Sequence, residues 1–254
     1  MNSDDSFDKL IREAESAHFQ GWDFSWLAGR KTEIALPWDY AAIVKERMAC
    51  AGSMLDMGTG GGERLAALAP FPARTCATEG YGPNVKVARD RLESFGVQVI
   101  DTTNDPENRR LPFRDCEFDL VVNRHETYVP EEIARVLRPG GTFVTQQCAA
   151  PGPIDLIAWF KGAAGVSRTL VEEAARQIEE GGLTVKTAQE ACPATTFADI
   201  GAVVYYLKAI PWVVEGFNVE KHRHRLLALH EYIREHDGFT SRDFRFLVEA
   251  VSPS

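Results

Sequence analysis

The stretch Ser53–Glu63, SMLDMGTGGGE, together with Glu79 beyond it, decides how this chain folds. Met54 and Leu55 make a short apolar strand that delivers Asp56 to its carboxyl end. Gly58, Gly60, Gly61 and Gly62 then strip Cβ atoms from the turn, so that a flat, nucleotide-like ligand can lie against bare backbone at the start of a helix.

Working outward, strands and helices alternate. Arg74–Glu79 reads as a second strand, Pro83 opens a helix that Gly96 ends, and Val97–Asp101 is a third strand. After the long polar connection TTNDPENRR come a fourth strand, Phe118–Asn123, a helix, Pro130–Leu137, and a fifth strand, Thr142–Cys148. Such alternation implies parallel pairing through crossover helices. Further on we expect a helix from about Ser167 to Glu180, a strand from Leu183 to Ala191, helices over Asp199–Ile210 and Glu220–Glu235, and a final strand, Phe244–Val251. Upstream, Phe7, Leu10, Ile11, Ala14 and His18 repeat at helical spacing. Trp22, Phe24, Trp26, Trp38 and Tyr40 follow closely with Gly and Pro between them, a density that suits a cover, whether it stacks on a ligand or caps the core. With neither repeats nor a low-complexity linker, the 254 residues are expected to form one domain: an N-terminal helical and aromatic cover over 1–50, a ligand-binding core over 51–148, and a substrate-side insertion with closing strands over 149–254.

Composition narrows the function classes. At 44% hydrophobic and 26% charged the chain reads as a soluble globular protein, and the polar N-terminus lacks the pattern of a secretory signal, so a cytoplasmic location is expected. Cys50, Cys76, Cys116, Cys148 and Cys192 form no C-x-x-C pair, which argues against a zinc knuckle and a full disulfide framework. No metal site is expected. A net charge of −9 gives no general attraction for nucleic acid, and nothing in the sequence specifies an oligomeric state.

Spacing separates the ligand classes that use glycine turns. A Walker phosphate loop needs Lys-Ser or Lys-Thr after its glycines, and none follows. A dinucleotide fingerprint needs G-x-G-x-x-G or Ala, but counting from Gly58 the last place is Glu63, and from Gly60 it is Leu65. What fits is D-x-G-x-G-x-G, met by Asp56, Gly58, Gly60 and Gly62, with Thr59 inside it. Here the sequence resembles the class I S-adenosylmethionine-dependent methyltransferases. Three further blocks carry the resemblance: Glu79 with the helix GYGPNVKVAR, Gly80–Arg89, after it; LPFRDCEFDLVV, Leu111–Val122; and EIARVLRPGGTFV, Glu132–Val144. The last two are similar to the small-molecule branch typified by ubiquinone-biosynthesis methyltransferases.

The resemblance implies an α/β fold, a Rossmann-like seven-stranded mixed sheet with its last strand antiparallel and helices on both faces. It implies S-adenosyl-L-methionine as cofactor, with Glu79 on the ribose hydroxyls, Gly80 beside it, Gly58, Thr59, Gly60 and Gly62 approaching the amino-acid part, and Asp56 holding the loop or acting through water. For adenine, Asp101, Thr102, Asn104 and Asp105 compete, with Thr102 and Asn104 favoured. The fourth strand exits through Asn123, Arg124, His125, Glu126, Thr127 and Tyr128, and Asn123 is expected at the cofactor. Amino-nucleobase and protein-glutamine methyltransferases commonly carry N-P-P-[YF] there, and NRHE departs from it. His125 is a candidate general base or acceptor-positioning group, Glu126 its orienter or itself the base, and Arg124 an anchor for an anionic substrate or the cofactor carboxylate. The competing reading is that Arg124 and His125 only bond loop backbone and line the cofactor. Gln146 and Gln147, at the end of strand five, are candidates to face the crevice. His222 and His224 read as part of a charged helix face, and His230 as a core histidine.

The expected activity is methyl transfer to a small organic acceptor by in-line displacement. An RNA- or protein-modifying transferase and a non-catalytic cofactor-binding protein are the alternatives.

Overall fold

The computed structural model of the protein describes residues 3–19, 23–162 and 168–254. In chain order its elements begin with α1 (Ser3–Ser16), β1 (Lys31–Glu33), α2 (Tyr40–Met48), β2 (Ser53–Met57), α3 (Glu63–Ala66), β3 (Arg74–Glu79) and α4 (Gly82–Leu92). Next come β4 (Gln98–Asp101), β5 (Phe118–Arg124), α5 (Pro130–Val136), β6 (Leu137–Cys148), α6 (Ile154–Lys161) and α7 (Val171–Glu180). The chain ends with β7 (Thr184–Ala191), β8 (Ala194–Phe197), α8 (Ile200–Ala209), α9 (Val219–His236), β9 (Phe239–Arg242) and β10 (Arg245–Val251). They fall into two compact units.

The first unit, Pro37–Gln147 with Thr169–Glu190 and Phe246–Ser254, is built on a seven-stranded sheet of order β4-β3-β2-β5-β6-β10-β7. β2 lies parallel between β3 and β5, with Leu55 opposite Cys76 on one side and Val121 on the other. Met54, Leu120, Val122 and Val144 share one core with Val44 and Leu65 from the helices, and Leu55, Val121 and Phe143, pointing the opposite way along the same strands, are equally buried. Burial on both faces is why these strands read as continuous apolar runs. β10 runs antiparallel to β6: Ser252 exchanges backbone hydrogen bonds with Gly140 and Gly141, while Ala149 N–H donates to Phe244 O at the far end. Asp39 caps α2 through Ala42 N–H, and α3 is a single turn. α7 begins at Val171; the expected start at Ser167 lies outside the described residues.

The second unit, Met1–Leu36 with Cys148–Arg168 and Ala191–Arg245, holds α1, α6, α8 and α9 and a small antiparallel sheet, β1-β8-β9, which the sequence reading did not foresee. β8 and β9 are four residues each, too short for alternation to stand out. Its core joins Phe7, Leu156, Phe197, Val203, Leu226 and Leu229. Phe24 and Trp26 of the aromatic cluster pack against this core, and Trp22 lies outside the described residues. His230 is 5% exposed, with Ser6 Oγ 3.3 Å from Nε2 and the Phe7 ring edge-on. It is a core histidine. Among the described residues no group of His, Cys, Asp and Glu could hold a metal ion, and no helix is long and apolar enough to cross a membrane.

Asp199 ties α8 into this unit twice. Its carboxylate accepts Ala202 N–H at 2.9 Å as a cap and pairs with both Arg30 Nε and Nη2, at 2.8 and 2.6 Å. Asp199→Ala therefore loses a cap worth about 1 kcal/mol and leaves a partly buried guanidinium unpaired. We expect the denaturant midpoint to fall by the equivalent of about 2–3 kcal/mol, with Asp199→Asn, which keeps the cap acceptor, losing less.

Candidate active site

The glycine turn leaves β2 in a conformation that side chains resist: φ is +65° at Gly58, +62° at Gly60 and +81° at Gly62. The turn is held from outside. Thr59 N–H donates to Thr78 O at 2.9 Å, Gly58 N–H to Thr78 Oγ1 at 3.3 Å, and Gly60 N–H to Glu79 Oε2 at 2.6 Å. Glu79 Oε1 accepts Tyr81 N–H at 2.7 Å. Glu79 thus clamps the turn to the end of β3, and burial raises its pKa against the lowering pull of the Tyr81, Gly60 and Gly80 N–H groups.

The sheet order reverses beside β2, which opens a crevice at the carboxyl ends of β2 and β5, where Met57 stands opposite Asn123. The exit of β5 turns into this crevice. His125 is exposed and left-handed at φ +62°, its N–H bonded to Gln146 O at 2.9 Å. Glu126 folds over Gly58: a Cβ built on that glycine would lie 2.5 Å from Glu126 Oε2 and 2.6 Å from its Cβ. Its Oε1 accepts Thr127 N–H at 3.1 Å and Asn108 Nδ2–H at 3.3 Å. Burial pushes the Glu126 carboxyl up to about 7, and the neighbouring Glu79 charge adds to the shift. Asp56 is also pushed up to about 7 by burial, with Glu79 again unfavourable and Arg124 favourable to its charge. Asp56, Glu79 and Glu126 therefore set three carboxyl groups around a bare-backbone turn, each held back from ionising by burial, with the Arg124 charge favouring ionisation of Asp56.

Not every expected residue meets this crevice in the same way. Asn123 is fully buried; its Oδ1 accepts from Thr145 Oγ1 at 3.0 Å and Gln147 Nε2 at 2.5 Å, and its Nδ2 has no hydrogen-bond partner among the described residues. Thr102 is buried, its N–H on Glu79 O at 2.9 Å and its hydroxyl close to Gly80, whereas Asn104 is exposed on the turn beyond. The Asp101 and Asp105 carboxylates accept backbone N–H groups of their own turns, from Thr103 and Arg110, at 2.9 and 2.8 Å. Gln147 Nε2 also bonds Glu126 O at 2.9 Å, while Gln146 is 2% exposed behind the exit.

Three further residues support the site, two of them, Tyr40 and Trp38, from the aromatic cluster. Asn108, at φ +53°, clips the β5 exit through Thr127 O at 2.9 Å. Asparagine tolerates left-handed backbone, and its place in a long polar connection was the available signal. Tyr40 donates to Asn123 O at 3.3 Å, and Trp38 Nε1–H to Gln146 Oε1 at 2.9 Å. A cavity of about 230 Å³ among Arg47, Cys50, Asp119 and Gly140 lies at the opposite, amino-terminal end of β2 and β5 and holds none of the expected site residues.

Residues 55–145 match the family described as methyltransferase domain. Those residues carry a methyltransferase domain, and S-adenosyl-L-methionine is its cofactor. The site fits that cation, since carboxyl side chains, which a neighbouring positive charge would help to ionise, ring a turn of glycine backbone. Among characterised relatives, the chain is 31% identical over 113 residues to the methyltransferase GfsG of Streptomyces halstedii, a match spanning 41% of this chain and 41% of that protein. The YcgJ protein of Bacillus subtilis superposes with a TM-score of 0.59 at 17% identity, over 84% of this chain and 98% of that one. Geranyl diphosphate methyltransferase in complex with S-adenosylmethionine superposes at 0.51 and 16%, over 84% of each chain. The [4+2]-cyclase SpnF superposes at 0.52 and 18%, over 97% and 93%. At these identities the superpositions speak for the fold alone.

Proposed function

We propose that the chain transfers a methyl group from S-adenosylmethionine to a small organic acceptor, in the small-molecule branch that ubiquinone-biosynthesis methyltransferases typify. The observation that carries the reading is Glu126 lying over Gly58 at the β2/β5 crevice, next to the Glu79 clamp. When bound, the cofactor supplies an electrophilic methyl on a sulfonium. Gly58, Thr59, Gly60 and Gly62 line its amino-acid part, Glu79 with Gly80 its ribose, and Thr102 and Asn104 the adenine side; Asp56 balances positive charge, and Asn123 offers its unsatisfied amide N–H from beneath. Arg124 anchors an anionic group. Of the two candidate bases, Glu126 is the better suited, because a carboxyl pushed up to about 7 exchanges protons near neutrality. His125 then positions the acceptor. The net charge of −9 supports a small acceptor over a polyanion, and five free cysteines support a reducing, cytoplasmic setting.

Incubation with methyl-labelled cofactor and separate pools of small metabolites, RNA and protein tests this. Label is expected in the small-molecule pool. Label in RNA or protein would move the chain to a macromolecule-modifying class, and tight cofactor binding with no transfer to any pool would make it a binding protein.

A further inference from the structure

His125 is held by a relay whose inner pair is buried and begins at Trp38, ahead of the glycine turn in the chain. The pairing of β5 with β6 sets Arg124 opposite Gln146, so Gln146 meets the β5 exit with both its backbone and its side chain. Its carbonyl accepts His125 N–H at 2.9 Å, and its Nε2 lies 3.4 Å from His125 Nε2. Behind it, the Trp38 indole N–H reaches Gln146 Oε1 at 2.9 Å.

The direction of this chain follows from what each group can do. An indole N–H only donates, so it must face the amide oxygen. The amide NH2 is thereby turned toward His125, and it too only donates. His125 Nε2 must then present its lone pair, which leaves the ring proton on Nδ1. Trp38 is 8% exposed and Gln146 2%, so water does not compensate an inverted amide. Inversion would set NH2 against indole N–H with both unsatisfied, a penalty that disfavours it by about tenfold or more.

We propose that Trp38 is a positioning residue that acts on His125 through Gln146, fixing the imidazole as its Nδ1–H tautomer. Nε2, occupied by the amide, is closed to proton abstraction, so His125 works as a hydrogen-bond donor. That catalytic consequence rests on the methyl-transfer reading; the tautomer itself does not.

The test uses the full chain with 15N-histidine and long-range 1H–15N spectra at about pH 8, where an ordinary imidazole is neutral. His125→Asn identifies the His125 signals among the six histidines. The wild-type ring is expected in the Nδ1–H pattern. Trp38→Phe releases the amide and should give a mixture of tautomers, and Gln146→Glu, whose carboxylate accepts, should convert the ring to Nε2–H. A wild-type ring in the Nε2–H form overturns the proposal even if neither variant folds. So does a folded Trp38→Phe protein, judged by dispersed amide signals, in which His125 keeps the wild-type pattern. If no acceptor is ever methylated, the spectra still decide the tautomer, so the two readings fail separately.

Discussion

Gly58→Ala is expected to raise the dissociation constant for S-adenosylmethionine by about a hundredfold. Two costs combine. At φ +65° any Cβ strains the backbone by about 1–2 kcal/mol, and here the new methyl also lands 2.6 Å from Glu126 Cβ, where the β5 exit must shift. Glu126 is fixed by Thr127 N–H and Asn108, so it has little room to give way. The strain must pass into the turn that the proposed reading sets against the cofactor. Gly96 provides the control. It is left-handed too, at φ +71°, but nothing lies within 4 Å of a Cβ there. Gly96→Ala should cost about 1 kcal/mol of stability and leave cofactor affinity alone. Calorimetric titration of both variants, with thermal unfolding alongside, separates crowding from strain. Equal affinity for wild type and Gly58→Ala would remove the turn from the cofactor site.

How well the sequence predicted the structure tracks how local the determining physics is. Asp56, Gly58, Gly60 and Gly62 are recognisable because positive φ and a bare turn have few side-chain solutions, and spacing alone excluded the competing ligands. The strands of the large sheet were equally readable, since burial on both faces leaves long apolar runs. The small sheet was not, because Ala194–Phe197 and Phe239–Arg242 are too short for alternation and depend on partners far apart in the chain, as Thr195 opposite Ser241 shows. The same limit applied within the site. Trp38 and Gln146 stand 108 residues apart, and only β5–β6 pairing brings Gln146 to His125. Likewise nothing in NRHE shows that the Glu126 carboxyl titrates near neutrality. That comes from burial and from the charge on Glu79, which lie in tertiary structure.

Glu126→Gln is expected to change stability and activity in opposite directions. The folded carboxyl is pushed from its ordinary 4.5 up to about 7. Below the lower value both folded and unfolded chains carry the proton, and the group contributes no pH dependence. Between the two values the folded chain holds a proton that the unfolded chain has lost, so stability falls as pH rises through this window and stays low above it. The difference is on the order of 2 kcal/mol once the partly solvated side chain is allowed for. A glutamine side chain in its place cannot ionise, and the amide oxygen can keep the bonds from Asn108 and Thr127. The variant should therefore equal wild type near pH 4 and exceed it by about 2 kcal/mol near pH 8. Some slope must survive in the variant, because Asp56, also raised to about 7, titrates with the same sign. Activity runs the other way. If Glu126 takes the acceptor's proton, wild-type turnover rises with pH through about 7, and the glutamine variant loses about 10²–10⁴-fold and flattens the profile. Cofactor affinity should drop only modestly, since in the proposed reading Asp56 and Glu79 still face the cation. Denaturant titrations at several pH values read the first effect and single-turnover transfer the second. Full turnover in a variant that shows the stability gain would mean that Glu126 is a buried charge beside the site, and that methyl transfer here depends on alignment alone.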